Sequence, residues 1–211
     1  MDYTASLVQL NIDERLKTMR TDALSRGIPI ADDETLQYLL FTVSALRPRR
    51  ILEIGTAVGL SAAAMLLAVD EARITTVELE EERYLEAKNN LAALGLSERV
   101  TAYLGDAGEI LSMMDGQFDF VFLDGPKAQY EKYLFDLKRL MRKGAVLFSD
   151  DVLLFGWVSG EEETPQKRRS IVEKIRSYLE TLTADKDFIT SVLNVGDGVA
   201  VSLYVGEEEK E

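Results

Sequence analysis

Apolar residues follow a three-and-four spacing up to about residue 48 and a strand–helix alternation after it. Residues 4–26 carry Leu7, Leu10, Leu16, Met19 and Leu24, and residues 33–46 carry Leu36, Leu39, Leu40, Val43 and Leu46. Both runs predict amphipathic helices. Gly27-Ile28-Pro29 separates them, and Pro48 ends the second. From Arg50 the pattern predicts strands at 50–54, 74–78, 100–104, 118–123 and 145–148. Helices fill the gaps at 60–69, 81–94 (closed by Gly95), a short stretch through Met113, and 130–141, which ends near Gly144. A long helix is expected over about 165–182. Two β-rich runs, 188–193 and 199–205, flank Asn194-Val195-Gly196-Asp197-Gly198, which has the chemistry of a hairpin turn. Five strand–helix units and a terminal hairpin predict an α/β sandwich with a seven-stranded, mostly parallel sheet. The expectation is a single domain over 1–211, with an N-terminal helical cap at 1–48, a Rossmann-like core at 49–205 and an acidic tail at 206–211.

Composition narrows the chemistry. The 211 residues contain no cysteine and no histidine. Disulfides, thiolate zinc sites, Ser-His-Asp and Cys-His mechanisms are therefore excluded. Acid–base work falls to Asp, Glu, Lys or Tyr, and any metal is expected to be a hard cation held by oxygens. No apolar run reaches membrane-spanning length. Met1-Asp2-Tyr3-Thr4 lacks the features of a signal peptide. A cytoplasmic protein with no membrane partner is expected. The net charge of −13 disfavours phosphate-rich partners globally. Glu161-Glu162-Glu163 and Glu207-Glu208-Glu209-Lys210-Glu211 read as solvated acidic runs.

Strand 50–54 runs into Gly55-Thr56-Ala57-Val58-Gly59, a turn in which glycines allow close approach of backbone to ligand. Glu78 lies 19 residues past Gly59, where a carboxylate can accept from ribose hydroxyls. The middle glycine of a dinucleotide loop is missing, and Glu53 just before the turn repels phosphate. S-adenosylmethionine, with a ribose, an ammonium, a sulfonium and no phosphate, fits better than a nicotinamide dinucleotide. Gly105-Asp106-Ala107 follows the third strand, and Asp106 can accept from an adenine amino group. A strand–helix turn with no ligand remains the alternative for the loop taken alone.

Asp124 stands at the end of strand 118–123, and Ser149-Asp150-Asp151 at the end of 145–148. Each Asp alone reads as a turn former or helix cap. Three carboxylates brought together call for a cation, and Mg²⁺ with its oxygen ligands suits them. Lys127 is by default a solvated charge. Beside Mg²⁺ and a sulfonium its pKa falls, and it can take a proton from a substrate hydroxyl.

At these residues the chain resembles the catechol O-methyltransferase-like family of S-adenosylmethionine-dependent enzymes. The resemblance runs from about Ile28 to Val205. It rests on Glu53-Ile54-Gly55-Thr56-Ala57-Val58-Gly59, Glu78, Gly105-Asp106-Ala107, Asp124-Gly125-Pro126-Lys127-Ala128-Gln129-Tyr130, Asp150-Asp151 and Val195-Gly196-Asp197-Gly198. It implies the class I methyltransferase fold, Lys127 as the base, and Asp124, Asp150 and Asp151 as metal ligands. It implies cofactor contacts from Glu53, Gly55, Thr56, Gly59, Ser61, Glu78, Asp106, Ala107 and Asp124, and from Ile30 in a cofactor-covering stretch. The family usually has Asp-Asn where this chain has Asp150-Asp151, so Asp151 brings an extra carboxylate that bears on metal preference.

Within the family the chain is most similar to bacterial tRNA 5-hydroxyuridine methyltransferases, through Gly27-Ile28-Pro29-Ile30, Pro165-Gln166-Lys167-Arg168-Arg169 and the 195–202 hairpin. That similarity implies methylation of a wobble 5-hydroxyuridine in tRNA and a homodimer with the N-terminal helices as interface. Arg47, Arg49, Arg50, Lys167, Arg168 and Arg169 are local basic clusters that can meet phosphates or simply be solvated. Phe155-Gly156-Trp157 can stack on an extruded base, wall a pocket for a small catechol, or pack in a dimer. A small catechol or phenol is the alternative substrate. A nicotinamide-dependent oxidoreductase and a non-catalytic tRNA-binding module are more remote.

Overall fold

A computed structural model describes residues 5–206 of the chain. The head at 1–4, and the acidic tail beyond Gly206, lie outside the described residues. The chain divides into two compact units, one up to Ala107 and one from Gly108.

The first unit opens with a 3-10 turn at Ala5–Leu7, then α1 (Glu14–Ser25) and α2 (Asp33–Leu46). The single helix expected over 4–26 is therefore interrupted. Asp13 sits in an extended conformation and its carboxylate accepts the Arg15 N–H at 2.8 Å, which starts the helix there. Asp32 caps α2 in the same way, accepting the Thr35 N–H at 2.8 Å. The strands β1 (Arg50–Ile54), β2 (Arg73–Glu78) and β3 (Val100–Leu104) follow, with α3 (Leu60–Ala68) and α4 (Glu81–Ala93) as crossovers. All three strands are parallel, in the order β3-β2-β1, with Glu53 directly opposite Thr76. Leu16, Leu36, Leu39, Ile51, Leu52, Ile54 and Met65 form the core. The apolar spacing of α2 buries Leu36, Leu39 and Val43, while Phe41 and Leu46 remain exposed.

The second unit holds most of α5 (Ala107–Met113), then β4 (Phe118–Leu123), α6 (Tyr130–Leu140), β5 (Met141–Ser149), α7 (Arg169–Ala184), β6 (Phe188–Leu193) and β7 (Val199–Tyr204). The strand order is β4-β5-β7-β6. β4 and β5 are parallel, and β7 runs antiparallel to both its neighbours. Three strands and four give the seven expected, including the C-terminal hairpin. β4 is buried at every position, including Asp119, whose carboxylate pairs with Arg142 at 2.8 Å. β5 begins four residues earlier than expected because Met141 already pairs with Phe118, and Gly144 at φ 87° takes up an irregularity in the ladder. The long helix starts at Arg169, after a 3-10 turn at Gln166–Arg168, and buries Val172, Ile175, Tyr178 and Leu182. Among the described residues, no helix is long and apolar enough to cross a membrane.

Candidate active site

In the first unit, the end of β1 leads into a loop built on backbone conformations that few residues adopt. Gly55 has φ 99°, Ala57 φ 46° and Gly59 φ 82°. Gly59 opens α3, and a Cβ there would stand 3.3 Å from the Cβ of Ala87 on α4. Its lack of a side chain thus serves helix packing as well as the turn. Glu78, at the end of β2, holds the loop. One carboxylate oxygen accepts the Ala57 N–H at 2.8 Å, and the other accepts the Leu79 and Glu80 N–H groups at 2.9 Å each. Two backbone segments are thus fixed by one carboxylate, which keeps further lone pairs for hydroxyl donors.

Glu53 is fully buried in β1. Ser61 donates to one of its oxygens at 2.5 Å, and Thr76 to the other at 2.6 Å. The Thr76 hydroxyl also meets that of Thr56 at 2.5 Å. These buried hydroxyls stabilise the carboxylate and tie the loop residue Thr56 to β2. Thr56, Glu53 and Ser61 were expected to touch a cofactor directly, and the structure joins them in one network. Thr76, which sequence reading passed over, lies at its centre. The signal for it was a polar residue in the middle of a strand pattern. Asp106 is exposed ahead of α5, Ala107 is buried, and Ile30 is half-buried before α2. The donor set fits S-adenosylmethionine: acceptors for hydroxyl and amino groups are present, and Ala57 occupies the place where a pyrophosphate loop needs glycine.

In the second unit, Asp124 leaves the end of β4 and Asp150 the end of β5. The two ends are pinned together. The Asp150 N–H donates to the Leu123 carbonyl at 3.0 Å. The buried Tyr130 hydroxyl lies 2.9 Å from the Leu123 carbonyl and 3.2 Å from that of Asp150. Tyr130 is thus a structural member of its motif. Behind it, Tyr178 packs edge-on at 5.3 Å and shares a 2.6 Å hydrogen bond with Ser149. Burial pushes the Tyr178 hydroxyl well above the usual tyrosine range. The sequence marks Tyr178 only as a position within the long helix expected over about 165–182.

Asp151 takes a left-handed conformation, φ 55°, which Asp and Asn adopt more readily than other side chains. Its N–H donates to Asp150 Oδ1 at 2.7 Å. Oxygens of Asp124, Asp150 and Asp151 all lie within 4.8 Å of one another. Oxygens sharing an octahedral Mg²⁺ stand ~3–4 Å apart, so a side-chain adjustment brings this set onto one ion. The three carboxylates expected to hold a metal are therefore together, and the residues fit the ion. Lys127 reaches into them from the 3-10 turn that follows Pro126, 2.6 Å from Asp124 and 3.0 Å from Asp151. Burial works against its charge, but Asp124, and then Asp151 and Asp150, outweigh it and hold its pKa well above the usual lysine value. Burial, and the charges of Asp124 and Asp151, push the Asp150 carboxyl up as well, well above the usual carboxylate range.

A carboxylate triad with a lysine set among its members can bind a dication and relay a proton. The O-methyltransferase family profile spans residues 5–205 of this chain. The chain belongs to the O-methyltransferase family. This methyltransferase is 25% identical over 201 residues to the caffeoyl-CoA O-methyltransferase of Populus kitakamiensis, covering 89% of this chain and 85% of that one. A candidate caffeoyl-CoA O-methyltransferase from Staphylococcus aureus has the same fold, with TM-score 0.87 and 30% identity over 96% of this chain and 97% of that one. The O-methyltransferase TomG from Streptomyces achromogenes, solved with S-adenosylmethionine, matches with TM-score 0.82 and 28% identity over 97% and 95%. These chain-wide matches establish the Rossmann-like methyltransferase fold and remove the oxidoreductase alternative.

Proposed function

We propose that this chain is an Mg²⁺-dependent enzyme that methylates wobble 5-hydroxyuridine in tRNA to 5-methoxyuridine. Its coarser activity, O-methyl transfer from S-adenosylmethionine of the caffeoyl-CoA and catechol type, follows from its family and fold. The observation that carries the mechanism is the cluster of Asp124, Asp150, Asp151 and Lys127. When bound, a dication on the three carboxylates lowers the pKa of an acceptor hydroxyl, and S-adenosylmethionine supplies the methyl group.

The chain's own residues do the rest. Lys127 Nζ accepts the proton of the acceptor hydroxyl. To do so it must be neutral, and the carboxylates that keep it charged are those a cation would engage. Tyr130 fixes Asp124 and Asp150 relative to each other by bridging their strand ends. Glu78 and the Glu53 network hold the loop in the shape that receives the cofactor.

The RNA substrate is supported by Lys167, Arg168 and Arg169. All three are exposed, and none has an ion pair among the described residues. They stand at the start of α7, where the helix dipole disfavours cations and where the first turn has no acid. A surface that accepts this cost in a chain of net charge −13 suits phosphates. A 5-hydroxyuracil, with O4 beside its hydroxyl, presents two vicinal oxygens as a catechol does. A small catechol or phenol is therefore the second reading, favoured by the caffeoyl-CoA relative. This reading places the protein in the cytoplasm, as a homodimer with the N-terminal helices, where Phe41 and Leu46 are exposed, as interface. The test is labelled methyl transfer to tRNA bearing 5-hydroxyuridine, to the same tRNA with plain uridine, and to catechol. Labelling of the hydroxylated tRNA alone supports the proposal, and labelling of catechol alone overturns its RNA part.

A further inference from the structure

A helix outside the network of Glu53, Thr76 and Glu78 also grips the cofactor loop. Ala87 and Leu91 of α4 are buried, and a Cβ added at Gly59 would stand 3.3 Å from the Ala87 Cβ and 3.4 Å from Leu91 Cγ. Asn90 follows Ala87 by three residues and shares its side of the helix. The Asn90 Nδ2 donates to the Val58 carbonyl at 3.0 Å. A carbonyl can only accept, so the amide presents its NH2 group to it. Val58 is fully buried, and a buried carbonyl that loses its donor is left at a free-energy cost.

Ala57 is what makes this hold necessary. Its φ of 46° lies in the left-handed region, where the Cβ of an L-residue crowds the carbonyl oxygen. Such a conformation persists only where its surroundings enforce it. Glu78 Oε2 accepts the Ala57 N–H at 2.8 Å, and Asn90 supplies the donor for the carbonyl of the next residue. The left-handed residue is thus bracketed by an acceptor from the end of β2 and a donor from α4. The two bonds have opposite polarity, so neither replaces the other.

We propose that Asn90 is a positioning residue for S-adenosylmethionine. Through the Val58 carbonyl it keeps Ala57 left-handed, and so keeps the loop in its receiving shape before the cofactor arrives. Without the amide, Ala57 relaxes toward ordinary φ values and the fraction of molecules with a competent loop falls. The apparent dissociation constant rises by the inverse of that fraction. The inference rests on the cofactor assigned by family and fold, and it is independent of the metal cluster and of the methyl acceptor.

Calorimetric titration of the full chain with S-adenosylhomocysteine, without metal or acceptor, tests it. Asn90→Ala removes the amide and places a strong helix former in α4. Affinity should fall about tenfold, as when about one-tenth of the molecules hold a competent loop. Glycine adopts the left-handed region without steric cost. In an Ala57→Gly background the loss caused by Asn90→Ala should therefore be at least about threefold smaller. A role confined to fold stability predicts the same loss in both backgrounds. Asn90→Asp keeps the shape but turns an acceptor toward the Val58 carbonyl, and it gives the same comparison if Asn90→Ala does not fold. Unchanged affinity in the Asn90 variants, or an equal loss in both backgrounds, overturns the proposal. A wild-type chain that fails to bind S-adenosylhomocysteine refutes the assigned cofactor, and this role with it. Normal binding by wild type and variants alike refutes only the role of Asn90.

Discussion

Lys127 Nζ lies 2.6 Å from Asp124 Oδ1, so the residue assigned as base is salt-bridged to a residue assigned as metal ligand. The relationship makes proton transfer conditional. While the carboxylates face only the lysine, it stays protonated and cannot act. A bound dication competes for the same oxygens, and its positive charge lowers the lysine pKa. In the proposed mechanism, base and metal ligands are thus one electrostatic unit.

Replacement of Lys127 separates base from charge. Arg keeps the cation but does not release its proton at ordinary pH. Lys127→Arg and Lys127→Ala should both lower kcat by about 10²–10⁴, the usual contribution of a general base. Cofactor affinity should hold within about twofold, since Lys127 stands outside the loop network. Single-turnover rates and calorimetric S-adenosylmethionine binding check this. An Arg variant with near-normal kcat would leave Lys127 an electrostatic role only.

Thr76 should act on cofactor binding through Glu53 and Thr56. Thr76→Val keeps the shape but removes the donor to a fully buried carboxylate, at a cost of about 1–3 kcal/mol in stability. S-adenosylmethionine affinity should drop about tenfold, while kcat at saturating cofactor stays within about twofold. Thr76→Ser should restore both stability and affinity. Thermal melts and calorimetry read the two effects. A loss of stability with unchanged cofactor affinity would make the network purely structural.

The basic start of α7 predicts a salt signature. With Lys167, Arg168 and Arg169 all changed to Gln, KM for the tRNA should rise, and turnover of a small catechol, where measurable, should not change. The slope of log affinity against log salt should shrink by about 2, given ~0.7–0.9 per phosphate contact. A variant with the full wild-type slope would show that other residues meet the phosphates.

Much of this was legible in the chain because local rules and tertiary structure agree. The apolar run 120–123 belongs to a strand buried on both faces, and the Gly/Asn/Asp turn at 194–198 joins an antiparallel pair. The acid–lysine spacing at Asp124 and Lys127 survives as an ion pair, with Lys127 opening the 3-10 turn that follows Pro126. What was hidden depends on packing between distant segments. The partnership of Thr76 with Glu53 comes from strand register, which apolar periodicity does not encode for two covered faces. The break in the expected 4–26 helix comes from the Asp13 cap, whose signal was outweighed by the leucine spacing around it. Gly198 is seated so closely that a Cβ there would stand 2.3 Å from Leu153 Cγ, a contact between distant residues with no local mark beyond the glycine itself.

Methyl transfer to 5-hydroxyuridine-containing tRNA, followed against Mg²⁺ concentration in wild-type protein and in Asp150→Asn, tests the central claim most directly. The account predicts saturable dependence on Mg²⁺, loss of activity with chelator, and a half-saturating Mg²⁺ concentration raised about tenfold or more when one of three carboxylate ligands is neutralised. Turnover that continues undiminished in chelator, with the same rate in Asp150→Asn, would contradict it.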